Sequence, residues 1–253
     1  MRKLYIIKAG STFPDTGKQF GDFDAWTKRG LGETRIEIRT VDVERGDPLP
    51  SPERCAGTVI TGSHSMVTDA LPWSIALEKW IKILLKLHIP IFGICYGHQL
   101  LAKAAGGKVD FHPQGMEIGT VKIRLCPGYK DDPLFKTLEP SFPVHVTHAQ
   151  TVMKLPESAV LLAENTFEPH HAFRIGDRAW GVQFHPEYNV DIMESYIREQ
   201  VPDLASTGID TNRLLAGVRP TPAAAKTLEN FGAVVDHLEL FEKRKDGRPA
   251  NEI

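Results

Sequence analysis

The feature of this chain with the most chemical content is a cysteine between two glycines, at the point where an apolar run ends. The segment reads Gly93-Ile94-Cys95-Tyr96-Gly97-His98-Gln99 and continues Ile89–Ile94, a short, almost wholly apolar stretch. Such a stretch is expected to be a strand buried on both faces of a parallel sheet. A helix is expected to open near Gly97 and to end at Gly106-Gly107. Gly-x-Cys-x-Gly between them is the thiol form of the strand–turn–helix elbow that lifts a nucleophile above a sheet. The glycines make room where the chain doubles back. The thiol then sits at a helix N-terminus, where the backbone dipole favours a thiolate. The N–H of Tyr96 points to the same place and can hold an oxyanion. Cys55 and Cys126 have no such context and read as buried, inert thiols.

A thiol nucleophile needs a base, and the base needs an orienting group. Gly181-Val182-Gln183-Phe184-His185-Pro186-Glu187 offers both. Pro186 biases His185 toward an extended backbone, and residues two apart on an extended segment face the same side. Glu187 can therefore reach the His185 ring and fix its tautomer. A third segment, Thr61-Gly62-Ser63-His64-Ser65, follows a β-branched run. In an open α/β sheet ligands bind beyond the carboxyl ends of the strands, so all three segments can converge there. The N–H groups of Gly62 and Ser63 can complete the oxyanion hole, whose donors are typically worth about 2.7–4 kcal/mol each.

These segments need a scaffold, and the hydrophobic pattern supplies one. Strands are expected at Leu4–Lys8, Arg35–Val41, Gly57–Thr61 and Ile89–Ile94. Helices are expected at about Asp22–Arg29 and Ser74–Leu87, the second with an apolar stripe of Leu77, Trp80, Ile81 and Leu84. Ser74 is the candidate N-cap. From Lys108 to Val182 short alternating segments are separated by Pro and Gly. Glu117–Leu125, Val144–Thr147, Val160–Ala163, Ala172–Ile175 and Ala179–Gln183 read as strands. A helix over about Val190–Arg198 follows. Another begins at Thr221-Pro222 with the stripe Leu228, Phe231, Val235, Leu238, and the charged last dozen residues are expected to fray. The pattern implies an α/β fold: a mainly parallel sheet flanked by helices, with an antiparallel β extension and a C-terminal helix. Residues 1–217 read as one domain, and 218–253 as a helical extension packed on it. That helix can lie on the sheet or form a homodimer contact.

Composition narrows the function classes. The 253 residues carry 30 basic and 32 acidic side chains, so the near-neutral balance gives no electrostatic reason to expect nucleic acid or anionic lipid. A small-molecule substrate fits better. Three widely spaced cysteines make neither a disulfide framework nor a zinc site, which points to a reducing cytoplasm. No apolar run has the length of a membrane span. Ten histidines include the close pairs His145/His148 and His170/His171, but no metal-ligating motif contains them, and no metal or other cofactor is expected.

Taken together, the Cys95 elbow with Gln99 four residues later, the Gly181–Glu187 phrase, Gly115-Met116-Glu117-Ile118-Gly119 and Thr147-His148-Ala149-Gln150 resemble the class I glutamine amidotransferases. The resemblance runs from about Val59 to Glu187, and is nearest to free-standing proteins similar to the amidotransferase domain of GMP synthase. Plant γ-glutamyl peptidases share the general pattern. It implies a flavodoxin-like sheet and a Cys95–His185–Glu187 triad, with Gly62 and Tyr96 N–H groups as oxyanion hole. Gln99, Thr147 and His148 correspond to substrate-binding positions. Cys95 would form a thioester with the glutamine side chain and release ammonia, which a synthetase subunit would accept. A γ-glutamyl peptidase acting on glutathione-like amides would use the same triad, with Gly115–Gly119 and Pro169–Ala172 as candidates for the leaving-group side. A non-catalytic glutamine-sensing subunit is the alternative outside enzymes.

Overall fold

The apolar and β-branched runs pair into one large sheet, and the amphipathic stretches cover it. The structure, a computed structural model, describes residues 2–206 and 208–245. In chain order the elements are β1 (Lys3–Lys8), α1 (Pro14–Phe20), α2 (Phe23–Gly30), β2 (Ile38–Asp42), β3 (Cys55–Ile60), α3 (Pro72–Lys86), β4 (Ile91–Ile94), α4 (Tyr96–Ala104), β5 (Lys108–Phe111) and β6 (Glu117–Leu125). They continue with β7 (Ser141–His148), β8 (Gln150–Lys154), β9 (Ala159–Glu164), β10 (Ala172–Ile175), β11 (Ala179–Val182), α5 (Val190–Glu199), α6 (Val201–Ser206), α7 (Thr211–Gly217) and α8 (Pro222–Lys245).

Nine strands bond in the order β2-β1-β3-β4-β11-β10-β9-β6-β7. The first five are parallel, in the 2-1-3-4-5 order of a flavodoxin-like doubly wound sheet. The remaining four are antiparallel. The antiparallel half curls back, because the N–H of His185, beyond β11, donates to the carbonyl of His145 in β7 at 2.8 Å. β5 and β8 form a separate two-stranded ribbon.

Strand alternation sends side chains to two cores. Leu4, Ile6, Val59, Phe92 and Ile94 pack on one face with Leu228, Phe231 and Val235 of α8. Tyr5, Ile7, Ile60 and Ile91 pack on the other with Leu77, Trp80, Ile81 and Leu84 of α3 and with Leu100 and Leu101 of α4. The C-terminal helix thus lies on the sheet. It approaches so closely that a β-carbon on Gly57 of β3 would sit 2.9 Å from a Val235 methyl.

Several expectations need correction. Ser74 does not cap α3: the helix starts at Pro72, a residue suited to the first turn because the missing N–H is not needed there. Ser74 is buried inside it and accepts a hydrogen bond from the Tyr96 hydroxyl. The second strand begins at Ile38 rather than Arg35. β7 extends back through Pro143, which an edge strand tolerates. The charged tail is helical to Lys245, and residues 246–253 lie outside the described residues. α1, α6, α7 and the β5/β8 ribbon were not anticipated; α1 carries Gly17 and the ribbon strands are short and largely polar, so periodicity is weak.

Because Phe231 is fully buried between α8 and the sheet, Phe231→Ala should cost about 3–5 kcal/mol. Urea unfolding should show a single transition at lower midpoint if α8 belongs to the cooperative unit.

Candidate active site

The elbow is built by steric exclusion. Cys95 has φ 49° and ψ −97°, a conformation costing on the order of 1–3 kcal/mol that only surrounding packing can hold. A β-carbon on Gly93 would lie 2.5 Å from the backbone of Gly97, and one on Gly97 would lie 2.4 Å from the carbonyl oxygen of Ile60. Strand, turn and helix are thus in backbone contact, and only glycine fits at either position. The N–H of Cys95 donates to Val182 O of β11 at 2.9 Å, and its carbonyl accepts from Gln99 N as the first bond of α4. The thiol is nearly buried, with Sγ 3.8 Å from Thr147 O.

β4 and β11 are parallel neighbours with Ile94 opposite Val182. The residues following each strand therefore emerge side by side. His185 is buried beside Cys95, with Nδ1 2.8 Å from Glu187 Oε1 and its ring stacked on Tyr188 at 4.1 Å between centroids. Burial disfavours the imidazolium, but the Glu187 carboxylate and the neighbouring Cys95 outweigh it and push the His185 pKa up to about 10. Burial, aided by Glu53, pushes Cys55 up to about 12, and burial raises Cys126 as well.

Cys95, Tyr96, Gln99, Thr147, His148 and His185 line one cavity of about 250 Å³ at the carboxyl ends of the strands. Glu187 stands behind His185. Gly62 is packed against the His185 ring, where an added β-carbon would meet Cε1 at 3.1 Å; the next residue, Ser63, lines the cavity. Gln99 donates both amide protons inside the protein, to Gln150 O at 2.8 Å and to Gln183 Oε1 at 3.0 Å. Its own Oε1 is the atom it can offer to a ligand. Met116 also lines the cavity, whereas no residue of Pro169–Ala172 does; His171 lies behind the wall, 3.4 Å from Glu117.

His148 is more deeply committed than the sequence suggested. Its Nδ1 bonds the Gln150 carbonyl at 3.0 Å and its Nε2 bonds Glu117 Oε2 at 3.1 Å. Both ring nitrogens of His148 are thus engaged inside the protein. Glu117 also accepts from Asn165 Nδ2 at 2.7 Å. Burial raises the Glu117 carboxyl, but the hydrogen bonds from His148 and His171 prevail and hold it well below the usual carboxylate range. This network fixes the strand end that carries Thr147 to Gln150. Sequence reasoning missed Glu117 as a partner of His148, although β6 and β7 place the two directly opposite. It also missed Phe13, Phe23, Tyr188 and Tyr196, which form an aromatic wall of the cavity. Phe13 follows the first strand, so the rule that ligands sit at strand carboxyl ends could have found it. Among the described residues no group of three or more His, Cys, Asp or Glu side chains is arranged to hold a metal, and no helix is long and apolar enough to cross a membrane.

A flavodoxin-like sheet with a thiol on its strand–helix elbow, beside a histidine–carboxylate pair, defines a class of α/β protein equipped for acyl chemistry. Comparison with known proteins narrows the class. The family model for class-I glutamine amidotransferases matches residues 19–201, and the chain belongs to that family. It is 37% identical over 169 residues to the glutamine-hydrolyzing GMP synthase of Porphyromonas gingivalis, covering 66% of this chain and 32% of that enzyme. It is 32% identical over 164 residues to γ-glutamyl peptidase 4 of Arabidopsis thaliana, covering 64% of this chain and 65% of the peptidase. The matched region is thus about a third of the bacterial synthase and about two thirds of the plant peptidase. The crystal structure of a glutamine amidotransferase from Thermotoga maritima has the same fold, with a TM-score of 0.72 at 22% identity over 92% of this chain and 97% of that one.

Replacing Glu117 by Gln tests the buried network. A carboxyl whose pKa is lowered on folding contributes stability that is present above its unfolded value, about 4.3, and lost as pH falls through that value toward the folded one. Glu117→Gln should therefore cost about 3–5 kcal/mol near neutral pH, because it removes the carboxylate from a buried, hydrogen-bonded network. Denaturant unfolding at a series of pH values should show this deficit shrinking below about pH 4.

Proposed function

We propose that the chain is a glutamine amidotransferase-type hydrolase that releases ammonia from the glutamine side-chain amide through a thioester on Cys95. The observation that carries this reading is the strained Cys95 elbow set in register against the strand that delivers His185 and Glu187. Cys95 Sγ attacks the amide carbon, and the developing oxyanion is held by backbone N–H groups of Tyr96 and the Gly62–Ser63 turn. His185, kept protonated by Glu187, gives its proton to the departing nitrogen, which leaves as ammonia. Water then enters, His185 takes its proton, and the thioester breaks to glutamate and free thiolate. Gln99 Oε1 and the backbone of Thr147 and His148 hold the α-groups of glutamine. No cofactor takes part in this chemistry. A cytoplasmic synthetase subunit that accepts ammonia is the partner this reading calls for.

The likeness to γ-glutamyl peptidase 4 favours a second reading, in which the leaving group is an amino acid or peptide amine and the same residues act on a γ-glutamyl amide.

Ammonia release from glutamine by the isolated chain, beside Cys95→Ala, tests the first reading. A parallel lane with glutathione, scored for Cys-Gly, tests the second. Cys95-dependent product in either lane supports the corresponding reading. A folded wild-type protein that forms no product in either lane, even at millimolar substrate, would sink both. Glu187→Gln should lower kcat by about 10²- to 10⁴-fold. The proton that His185 donates is lost as pH rises through about 10, so kcat/KM should show an alkaline limb there. In Glu187→Gln the limb should move down toward the ordinary histidine value of about 6.5.

A further inference from the structure

The cavity has two chemically different sides around Cys95. On one, Gln99, Thr147 and His148 present polar groups held by buried hydrogen bonds. On the other, aromatic rings run outward from His185 in an unbroken series. The His185 ring stacks on Tyr188 at 4.1 Å, Tyr188 meets Tyr196 at 4.9 Å, Tyr196 meets Phe13 at 5.2 Å, and Phe13 meets His64 at 4.4 Å. All five rings line the cavity.

This wall is held in place. The N–H of Thr12 donates to Asp22 Oδ1 at 2.8 Å, and the Thr12 hydroxyl bonds the Tyr196 hydroxyl at 2.8 Å. Asp22 is in turn paired with Lys8 at 2.8 Å. Phe13, the next residue, is therefore presented on a fixed loop, and pre-organised rings bind without an ordering cost.

The general acid sets the direction in which a leaving group departs, since His185 must reach the nitrogen it protonates. The substituent on that nitrogen is therefore on the His185 side, against the aromatic wall. Ammonia, the leaving group of glutamine, carries no substituent and makes no use of it. The rings of this wall present apolar faces to the cavity, so the matching substituent is an apolar one. Flat rings offer their best contacts to another ring.

Resting on the thioester chemistry proposed above, we infer that the site takes γ-glutamyl amides of uncharged aromatic amines, with the amine's ring seated against the wall of Phe13, His64, Tyr188 and Tyr196. Cys95 forms the C–S bond to the γ-carbonyl carbon and the C–N bond breaks. The proton from His185 goes to the amine nitrogen, and the neutral arylamine leaves. Water then hydrolyses the thioester, so that amide and water become glutamate and arylamine with no redox change.

The test uses the full chain and three substrates: γ-glutamyl anilide, γ-glutamyl methylamide and glutamine, with aniline, methylamine and ammonia quantified. The anilide should exceed the methylamide in kcat/KM by at least tenfold, chiefly through a lower KM. Phe13→Ala should reduce the anilide-to-methylamide ratio about tenfold, a change in ratio that a general loss of folded enzyme cannot produce. His64→Ala, at an exposed position on the same wall, should reduce the ratio in the same direction and serves if Phe13→Ala does not fold. Turnover of glutamine or methylamide with no preference for the anilide, or a ratio unmoved by a folded variant, overturns the aromatic subsite and leaves the thioester reading standing. Absence of Cys95-dependent turnover of all three substrates by folded protein overturns both.

Discussion

The parallel pairing of β4 with β11 is the constraint on which the site depends. Ile94 and Val182 face each other across that pair, and Cys95 N donates to Val182 O. The two strands are far apart in sequence, yet their carboxyl ends emerge at one level. A residue placed just after each must meet its counterpart. A slip in register would carry the thiol away from the imidazole and turn every β11 side chain to the opposite face. The buried, two-sided hydrophobicity of both strands prevents the slip: Phe92, Ile94, Trp180 and Val182 share one core.

Around that pair the protein places polar groups where a low dielectric makes them both strong and costly. Lys8 with Asp22 and Asp42 secures the loop after β1. Glu117 with His148, His171 and Asn165 secures the strand end after β7. Apart from His148, which lines the cavity, each network sits behind it and orients backbone that faces it. The proposed chemistry thus rests on two polar networks outside the triad, one around Lys8 and one around Glu117.

Much of this was legible in the sequence, for reasons that differ by element. The elbow could be read because two glycines and a short apolar strand are local and sterically demanding. The His185–Glu187 pair could be read because Pro186 restricts the backbone between them. The parallel strands were evident from continuous β-branched runs, and the stripe of α8 from its helical period. What escaped depends on contacts distant in sequence. Glu117 and His148 meet only through the β6/β7 register, and Phe13 reaches the cavity only because β1 lies beside β3. Ser74 failed as a cap because Pro72 already starts α3, and its hydroxyl is taken by Tyr96. The order of the sheet, which no local pattern encodes, is what joins these residues.

The same order has a consequence for how the protein comes into being. Six strands, β5 to β10, and the loops among them intervene between β4 and its neighbour β11. Closing so long a stretch of chain must be accomplished before the pairing returns any energy, and topologies of this kind fold slowly. During synthesis, β4 would carry its cysteine at an open sheet edge until β11 has emerged. The positive-φ backbone of Cys95 would lack in that interval the bond from its N–H to Val182 that adds to the packing around the elbow. The site would therefore be assembled by one of the last pairing events in folding, and a nascent chain short of β11 would hold its thiol without the means to use it.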